Sequence, residues 1–218
     1  MLDHINEALD ITRIEGGAFE LSPQEFNLPD LARSLVEVLK PLANEKELSL
    51  ELQIDDNIEA YFLGDSHRIR QILTNLLGNS IKFTDEGSIQ FVISCSHEAD
   101  VSRLKFTITD TGLGIAPENH EKIFEDFVAI SSGDERQSRG DGLGLSISRK
   151  IARQMGGDII VESNINEGAT FILNLPLKQV AKTDVVEPKA LDIPIENFKK
   201  INVLVVEDSS TNREVLCD

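Results

Sequence analysis

Cysteine is scarce in this chain of 218 residues, which contains only Cys95 and Cys217, far apart. Without a CxxC pair or a Cys/His cluster, the sequence supports neither a disulfide framework nor a zinc site, and it favours a reducing compartment. No apolar run approaches the roughly eighteen residues of a membrane span, and the first residues lack the basic segment followed by an apolar one that is typical of a signal peptide. We therefore expect a cytoplasmic chain without direct membrane contact.

Positive charge is also scarce, because 21 Lys and Arg stand against 38 Asp and Glu, giving a formal net charge of -17. Such a surface repels phosphate backbones and anionic lipids, so we expect no nucleic-acid partner, and any phosphate site must be local. Hydrophobic residues at 40% and charged residues at 27% are ordinary globular values, which exclude wholesale disorder. The length fits one core-bearing domain with attachments.

The secondary structure follows from hydrophobic periodicity. Helical periodicity covers 27–44, 65–83 and 143–155, and strand signals cover 48–54, 58–63, 88–95, 103–109, 158–163 and 169–175. Pro117 predicts a short helix over 117–127, and the polar stretch 129–141 predicts a long exposed loop. Because consecutive strands break a strict strand-helix alternation, we predict an α+β fold: a two-layer sandwich with a mixed sheet and helices on one face.

The helix over 65–83 has two different faces. Its apolar side chains spread over one face, whereas Asn75, Asn79 and Lys82 gather in a stripe on the other. Asparagine is a poor helix former, so two of them one turn apart need a reason. Amide oxygens can ligate Mg²⁺ without adding charge, and Lys82 lies one turn on, where it can meet a phosphate. A merely solvated face is the alternative interpretation.

Two glycine clusters complete the pattern. DTGLGI at 110–115 follows a strand, where glycines let the backbone approach a flat ligand and Asp110 can accept a hydrogen bond from an exocyclic amine. GDGLGLS at 140–146 opens a helix, whose first N–H groups can hold phosphate. A strand-end turn and a flexible hinge are the alternatives. Neither cluster fits the Rossmann or P-loop pattern, so both of those are excluded.

Together these motifs resemble a family. RQILTNLLGNSIKFT is similar to the N box, DTGLGI to the first glycine box, FEDF at 124–127 to the F box, GDGLGLSIS to the second glycine box and EGATF to a third. In this order, over 23–178, they resemble the catalytic and ATP-binding domain (HATPase_c) of a bacterial hybrid sensor histidine kinase, a Bergerat-fold ATPase. The resemblance implies ATP and Mg²⁺ as cofactors, and transfer of the γ-phosphoryl group to a histidine in two-component signalling.

The flanking segments resemble the neighbouring domains of such a kinase. Residues 1–22 resemble the end of the second helix of the dimerisation and histidine-phosphotransfer hairpin, and 201–218 the start of a receiver domain, both truncated. Residues 179–200 are predicted to be a linker. The implied partners are the hairpin of the same parent and the downstream receiver domain. The parent is expected to be a homodimer, which is cytoplasmic or anchored in the bacterial inner membrane.

The resemblance also assigns roles to single residues. Asn75 and Asn79 are implied to bind Mg²⁺ and the phosphates, Lys82 to face the phosphates, and Asp110 to hold the adenine amine. The residues implied to bind ATP are Asn75, Asn79, Lys82, Phe83, Asp110, Gly112, Gly114, Ile115, Arg136, Arg139, Gly140, Gly142, Leu143, Gly144, Leu145 and Thr170.

Residues 128–141 are implied to form a mobile ATP lid anchored by Phe124 and Phe127. As an isolated pair, these two phenylalanines would favour plain core. Asp141 departs from the family pattern, which commonly has threonine there, and an added carboxylate near a triphosphate should weaken binding unless it faces water or the metal.

A second departure is the absence of a phosphoacceptor box. None of His4, His67, His97 and His120 is followed by the acidic residue and Arg-Thr-Pro pattern of that box, and each is interpreted as a solvated side chain. No catalytic residue is therefore assigned in this chain, which we expect to bind nucleotide without labelling itself. An ATP-driven conformational clamp of the same superfamily and a nucleotide-free docking module are the alternative functions.

Overall fold

A computed structural model of the chain describes residues 19–98, 101–128 and 142–180, together with Thr12, Ile14 and Gly16. The strands are β1 Gln24–Asn27, β2 Ser49–Ile54, β3 Tyr61–Gly64, β4 Ser88–Glu98, β5 Val101–Asp110, β6 Asp158–Ser163 and β7 Ala169–Gln179, and the α-helices are α1 Leu28–Glu45, α2 Ser66–Phe83 and α3 Gly144–Gln154. In this part of the chain, none of the helices combines the length and the apolar run that crossing a bilayer requires.

The seven strands form one mixed sheet in the order β1-β3-β7-β5-β4-β2, and β6 also pairs with β7. Strands β2 and β4 run parallel, whereas the other pairs are antiparallel. Strand β7 uses one edge for β5 and the other for both β6 and β3, because β6 pairs with 169–174 and β3 with 178–179. The predicted α+β sandwich with a mixed sheet is confirmed.

The core lies between the sheet and the three helices. Alternate residues of β4, β5 and β7 point to the helical side and are almost completely buried. The largest fully buried side chains include Phe62, Ile69, Ile72, Leu73, Leu76, Leu77, Ile89, Phe91, Ile93, Leu104 and Phe106. Each of them stabilises the fold by about 1.5–3 kcal/mol relative to an exposed position. The apolar face of α2 is therefore its packing face, and its polar stripe is left for other contacts.

The helix starts differ in a way that matters for function. Asn27 caps α1 by accepting from the Asp30 N–H at 3.0 Å, and Asp65 caps α2 by accepting from the Arg68 N–H at 3.1 Å. At the start of α3, the N-cap residue Leu143 provides no side-chain hydrogen bond. The first N–H groups of α3 therefore keep the unsatisfied donors and the positive dipole of a bare helix N-terminus.

Two sequence-based predictions of secondary structure differ from the structure. The helix predicted over 117–127 is wrong, because this stretch holds two short 3₁₀ turns, Pro117–Asn119 and Lys122–Phe124. Its apolar residues, Ile123, Phe124 and Phe127, are confined to its second half, and its first half is polar. Strand β1 was not predicted, since four residues at a sheet edge carry little periodic signal. Apart from Thr12, Ile14 and Gly16, the predicted opening helix lies outside the described residues, as does 201–218.

Candidate functional site

Asp110 ends β5 and points to the helical side of the sheet, where it is 5% exposed. Its Oδ1 accepts from the Gly112 N–H at 3.0 Å and the Ala169 N–H at 3.2 Å, and its Oδ2 accepts from Ser80 Oγ at 3.0 Å. Burial raises the pKa of Asp110, while these three hydrogen bonds favour the ionised form. The carboxylate is thereby held in one orientation, and Oδ2, with one donor, can accept from a ligand.

The loop after Asp110 is clamped between α2 and the β6–β7 turn. The Leu113 N–H donates to the Phe83 carbonyl at 3.3 Å, and the Leu113 carbonyl accepts from the Asn166 N–H at 2.7 Å. Gly114 has a φ of 70°, and a Cβ there would collide with the Asn164 carbonyl, so the position requires glycine. The glycines of this motif therefore allow close contact with neighbouring protein backbone, and the predicted approach to a flat ligand stays a prediction.

His120 holds the far end of the same loop. Its Nε2 lies 3.3 Å from the Ile115 carbonyl and 3.0 Å from the Ser163 carbonyl, while the Ile115 N–H donates to Ser163 Oγ at 2.8 Å. The prediction of a solvated His120 is therefore wrong, because its ring bridges two backbone segments. His67 is exposed, as expected, and the side chains of His4 and His97 lie outside the described residues.

The two asparagines of α2 lie together, and Asn75 contacts α3. Asn75 Nδ2 donates to Ser148 Oγ at 2.9 Å, and Asn79 Nδ2 lies 3.4 Å from Asn75 Oδ1. Gly144, the first residue of α3, runs so close that a Cβ on it would collide with Asn75 Oδ1. These contacts connect the polar stripe of α2 to the uncapped N-terminus of α3. Asn79 is next in sequence to Ser80, whose hydroxyl donates to Asp110.

The remaining described residues of the implied set occupy different positions. Lys82 lies in the last turn of α2, with Nζ 4.8 Å from the centroid of the Phe83 ring, and both residues are half-buried. The side chain of Leu143 is buried in the core, and Leu145 packs against the core. Gly142 has a φ of 66°, next to the backbone of Phe127. Arg136, Arg139, Gly140 and Asp141 lie outside the described residues, as does the predicted loop over 129–141.

Thr170 lies on the other face of the sheet from Asp110. Its Oγ1 is 3.1 Å from Thr109 Oγ1, a cross-strand pair on the outer surface. Because side chains alternate along a strand, the neighbour Ala169 faces the helical side instead. The third glycine box thus reaches Asp110 through the Ala169 N–H, and the structure does not bring the Thr170 side chain to the other site residues.

The two F-box phenylalanines differ in burial. Phe124 is half-buried beneath the Arg149 guanidinium, 4.6 Å from its ring centroid. Phe127 is 74% exposed and has a φ of 62°, so the alternative that it is plain core is wrong. Its implied role as an anchor of the lid stays a prediction, because residues 129–141 lie outside the described part of the chain. Between them, Asp126 binds Lys150 Nζ at 2.7 and 2.9 Å, and this hydrogen bond lowers the pKa of Asp126.

The described residues offer a hard cation such as Mg²⁺ an amide oxygen and no cluster of carboxylates. Within 19–98, 101–128 and 142–180, no cluster of three His, Cys, Asp or Glu side chains is assembled. Among the hydrogen bonds of these residues, none is donated to Oδ1 of Asn79. An amide oxygen is a suitable Mg²⁺ ligand, and Mg²⁺ commonly completes its octahedron with phosphate oxygens and water. The arrangement fits a metal that arrives with a phosphate ligand.

Comparison with known proteins places these residues within a family match. Residues 64–179 match the family described as histidine kinase-, DNA gyrase B-, and HSP90-like ATPase. The chain is 35% identical over 215 residues to the autoinducer 2 sensor kinase/phosphatase LuxQ of Vibrio cholerae, covering 97% of this chain and 25% of that protein. It is 39% identical over 179 residues to hybrid signal transduction histidine kinase B of Dictyostelium discoideum, covering 81% of this chain and 9% of that protein. The chain therefore spans about a quarter of LuxQ and less of the other kinase.

Solved structures also show similarity of this chain to histidine kinase catalytic domains. Full-length ShkA in complex with AMPPNP superposes with a TM-score of 0.73 at 32% identity, covering 83% of this chain and 36% of that one. The nucleotide-free catalytic domain of the histidine kinase ThkA gives a TM-score of 0.56 at 31% identity, covering 71% of this chain and 97% of that domain.

Proposed function

Because this chain belongs to the family of histidine kinase-, DNA gyrase B- and HSP90-like ATPases, we propose that it binds Mg-ATP and, within its parent protein, presents the γ-phosphoryl group to a histidine. The buried Asp110 carboxylate is the observation that carries this proposal. Three donors from α2, the glycine loop and β7 fix its orientation, and Oδ2 keeps the capacity to accept from the adenine amine.

The other residues bind and orient the phosphates. Asn79 Oδ1 is the metal ligand, and Asn75 orients the Asn79 amide while its own amide donates to Ser148. The uncapped N–H groups at Gly144 and Leu145 receive phosphate oxygens, as helix N-termini do. Lys82 adds positive charge from the last turn of α2. A bound Mg²⁺ supplies charge neutralisation on the phosphates, and these residues supply position.

We further propose the domain organisation that the motifs imply. Residues 1–22 are the end of the phosphotransfer hairpin, 23–178 the ATP-binding domain, 179–200 a linker and 201–218 the beginning of a receiver domain. The hairpin and the receiver are then the partners of this domain in a two-component phosphorelay. We also propose that the parent is a homodimer, which is cytoplasmic or anchored in the bacterial inner membrane.

A thermal shift with a Mg-ATP analogue tests nucleotide binding first. Ligand that binds only the folded state should stabilise it by about 1–3 kcal/mol at saturating concentration. The same titration without Mg²⁺ reports the contribution of the metal. An unchanged melting temperature at millimolar analogue would leave the nucleotide-free docking module as the function.

Phosphoryl transfer is tested with the hairpin of a relative supplied in trans. The sequence carries no phosphoacceptor box, so the chain alone should not become labelled from γ-labelled ATP. With a hairpin present, acid-labile label should appear on the hairpin, slowly because the tether is missing. Steady ATP hydrolysis over many turnovers without any hairpin would instead favour the ATP-driven clamp, since gyrase- and HSP90-like ATPases share this family.

A further inference from the structure

Lys46 joins the end of α1 to the end of α2 through a dense set of hydrogen bonds. It follows directly on the last residue of α1, and its Nζ donates to the carbonyls of Ile81 at 3.0 Å, Lys82 at 2.9 Å and Thr84 at 3.0 Å. An ammonium group has three N–H donors and no acceptor, so three carbonyls use its full donor capacity. Asp85 Oδ1 lies 3.5 Å away and adds a weaker ion pair.

These carbonyls are the ones that a helix end leaves without partners. The last four carbonyls of an α-helix receive no intrahelical hydrogen bond, and they carry the negative end of the helix dipole. Helices often solve this with a glycine in the left-handed conformation, but α2 runs directly into Thr84 with an extended φ of -108° and ψ of 121°. The Lys46 ammonium therefore replaces the usual C-terminal cap.

The backbone around Lys46 is itself held in place. Glu47 adopts a left-handed φ of 57°, which is uncommon for a residue with a side chain, and Leu48 is buried at 4% exposure. The Lys46 N–H and the Leu48 N–H both donate to the Ala43 carbonyl, at 3.1 and 2.9 Å. The backbone of Lys46 is thus held in one position by its own neighbours. Its ammonium can therefore determine where the end of α2 lies.

The capped turn also carries part of the candidate site. Lys82 is in this turn. The carbonyl of Phe83, the residue between the capped Lys82 and Thr84, accepts from the Leu113 N–H of the glycine loop at 3.3 Å. A Cβ on Gly112 would collide with the same Phe83 carbonyl, so the loop and the helix end are in close contact. A small displacement of this turn would move both the loop after Asp110 and Lys82.

We propose that Lys46 is a positioning residue of the nucleotide site, acting through the last turn of α2. Its ammonium fixes the Ile81–Thr84 backbone, and this backbone in turn sets the distance between Lys82 and the loop that receives the base. The proposal rests on the proposed function, because it concerns the same nucleotide site. It adds a residue that would act through the helix backbone and not by direct contact with nucleotide.

The decisive variants are Lys46→Met, which keeps the aliphatic chain and removes the donors, and Lys40→Met, which removes the same charge from an exposed position of α1. Binding of Mg-AMPPNP is measured by calorimetry on the full chain, beside the melting temperature without nucleotide. We expect about tenfold weaker binding in Lys46→Met and wild-type binding in Lys40→Met. Wild-type affinity in Lys46→Met overturns the proposal, whereas a wild-type chain that binds nothing overturns the proposed function instead.

Chemical rescue separates positioning from a general loss of stability. In Lys46→Ala, ethylammonium can enter the space between the three carbonyls and donate to them, so it should restore binding to within about threefold of the wild type. Tetramethylammonium has the same charge and no N–H donor, and it should restore nothing. Equal effects of the two cations would show that the carbonyl contacts are irrelevant and would overturn the proposal.

Lys46→Arg decides the question if the neutral variants do not fold. The guanidinium keeps the charge, but its donors lie in one plane and cannot all converge on three carbonyls around one point. We expect a folded chain that binds Mg-AMPPNP about threefold more weakly than the wild type. A folded Lys46→Arg chain with unchanged affinity overturns the positioning role.

Discussion

At the scale of single residues, Asp110 divides its two oxygens between holding the protein and receiving a ligand. In Asp110→Asn the amide oxygen can still accept from the Gly112 and Ala169 N–H groups, and Ser80 can reverse its hydroxyl. The amide nitrogen then presents donors where the adenine amine needs an acceptor. We expect binding of a Mg-ATP analogue to weaken by about 2 kcal/mol, measured by calorimetry.

The control for this substitution is Asp56→Asn, which removes one carboxylate charge from an exposed turn after β2. It should leave affinity unchanged, because distant exposed charges are screened by salt. Equal affinity of Asp110→Asn and the wild type would remove Asp110 from the adenine site.

Asn79 is expected to act through the metal. Asn79→Ala removes the amide oxygen that takes no protein hydrogen bond and should reduce Mg²⁺-dependent ATP binding by about 1–2 kcal/mol. Binding of ADP without metal should change much less. Titrations of both nucleotides with and without Mg²⁺ test this, and equal losses in the two conditions would contradict the ligand role.

Site residues differ in how far a sequence can predict them. Asp110, Asn75 and Asn79 were predicted because their signal is local: a carboxylate before closely spaced glycines, and two asparagines one turn apart. The sequence did not predict the roles of Ser80, Ser163 and His120. Each of these side chains forms a hydrogen bond with a residue 30 to 48 positions away in the chain. Only the sheet register brings Ala169, instead of Thr170, to Asp110, and strand alternation decides that by one residue.

At the scale of elements, ion pairs of its basic side chains hold α3 against segments other than α2. Lys150 binds Asp126 through both carboxylate oxygens, and Arg149 binds Glu121 at 2.7 Å and Asp158 at 2.9 Å. These bonds connect the helix to the 3₁₀ turns before it and to β6 after it. The position of the open α3 N-terminus therefore depends on contacts made farther along the same helix.

Lys150→Met should weaken this fastening. The Asp126 carboxylate would lose its main donor, and we expect about 1 kcal/mol less stability at neutral pH. Urea unfolding measures the loss, with Lys122→Met, an exposed lysine on the 3₁₀ turn, as the matched control. Indistinguishable unfolding of the two variants would show that the Lys150–Asp126 pair contributes nothing measurable.

Long periodic elements were predictable, whereas β1 and the conformation of 117–127 were not. Helix α2 was predicted at 65–83 and observed at Ser66–Phe83, because six apolar side chains recur on one face. The 117–127 segment has a favourable Pro117, but its apolar residues, Ile123, Phe124 and Phe127, are confined to its second half, so tertiary contacts decide its conformation. Arg149 over Phe124 is such a contact, and it comes from a different element.

At the scale of the whole molecule, the excess of acidic residues makes the response to pH informative. Partial burial raises the pKa of Asp158, but hydrogen bonds from Arg149, Arg153 and the Ile159 N–H outweigh it and bring the pKa to about 2. The ordinary value is 3.8. A carboxyl group with a lowered folded-state pKa stabilises the protein above its unfolded value, and this contribution is lost as pH falls towards the folded one.

Asp158→Asn should therefore destabilise the chain at pH 7 and hardly at all near pH 2. Because the side chain is 38% exposed, solvent screening reduces the effect to about 1 kcal/mol. Denaturant unfolding at pH 7, 5, 4 and 3 measures the difference between variant and wild type. It should stay constant from pH 7 to 5 and shrink below about pH 4. A difference independent of pH would mean that Asp158 acts by packing alone.

The position of β7 in the sheet has a consequence for synthesis on the ribosome. This strand bonds to β3, β5 and β6, and it is the last of the seven to be made. Until residues 169–179 have left the exit tunnel, β3 and β6 have no strand to join them to β5, and β5 presents an open edge. Until β7 is available, the nascent chain exposes apolar surface that the finished sheet buries. The sheet can therefore be completed only late in synthesis. Chaperones have their main opportunity to bind the chain before that step.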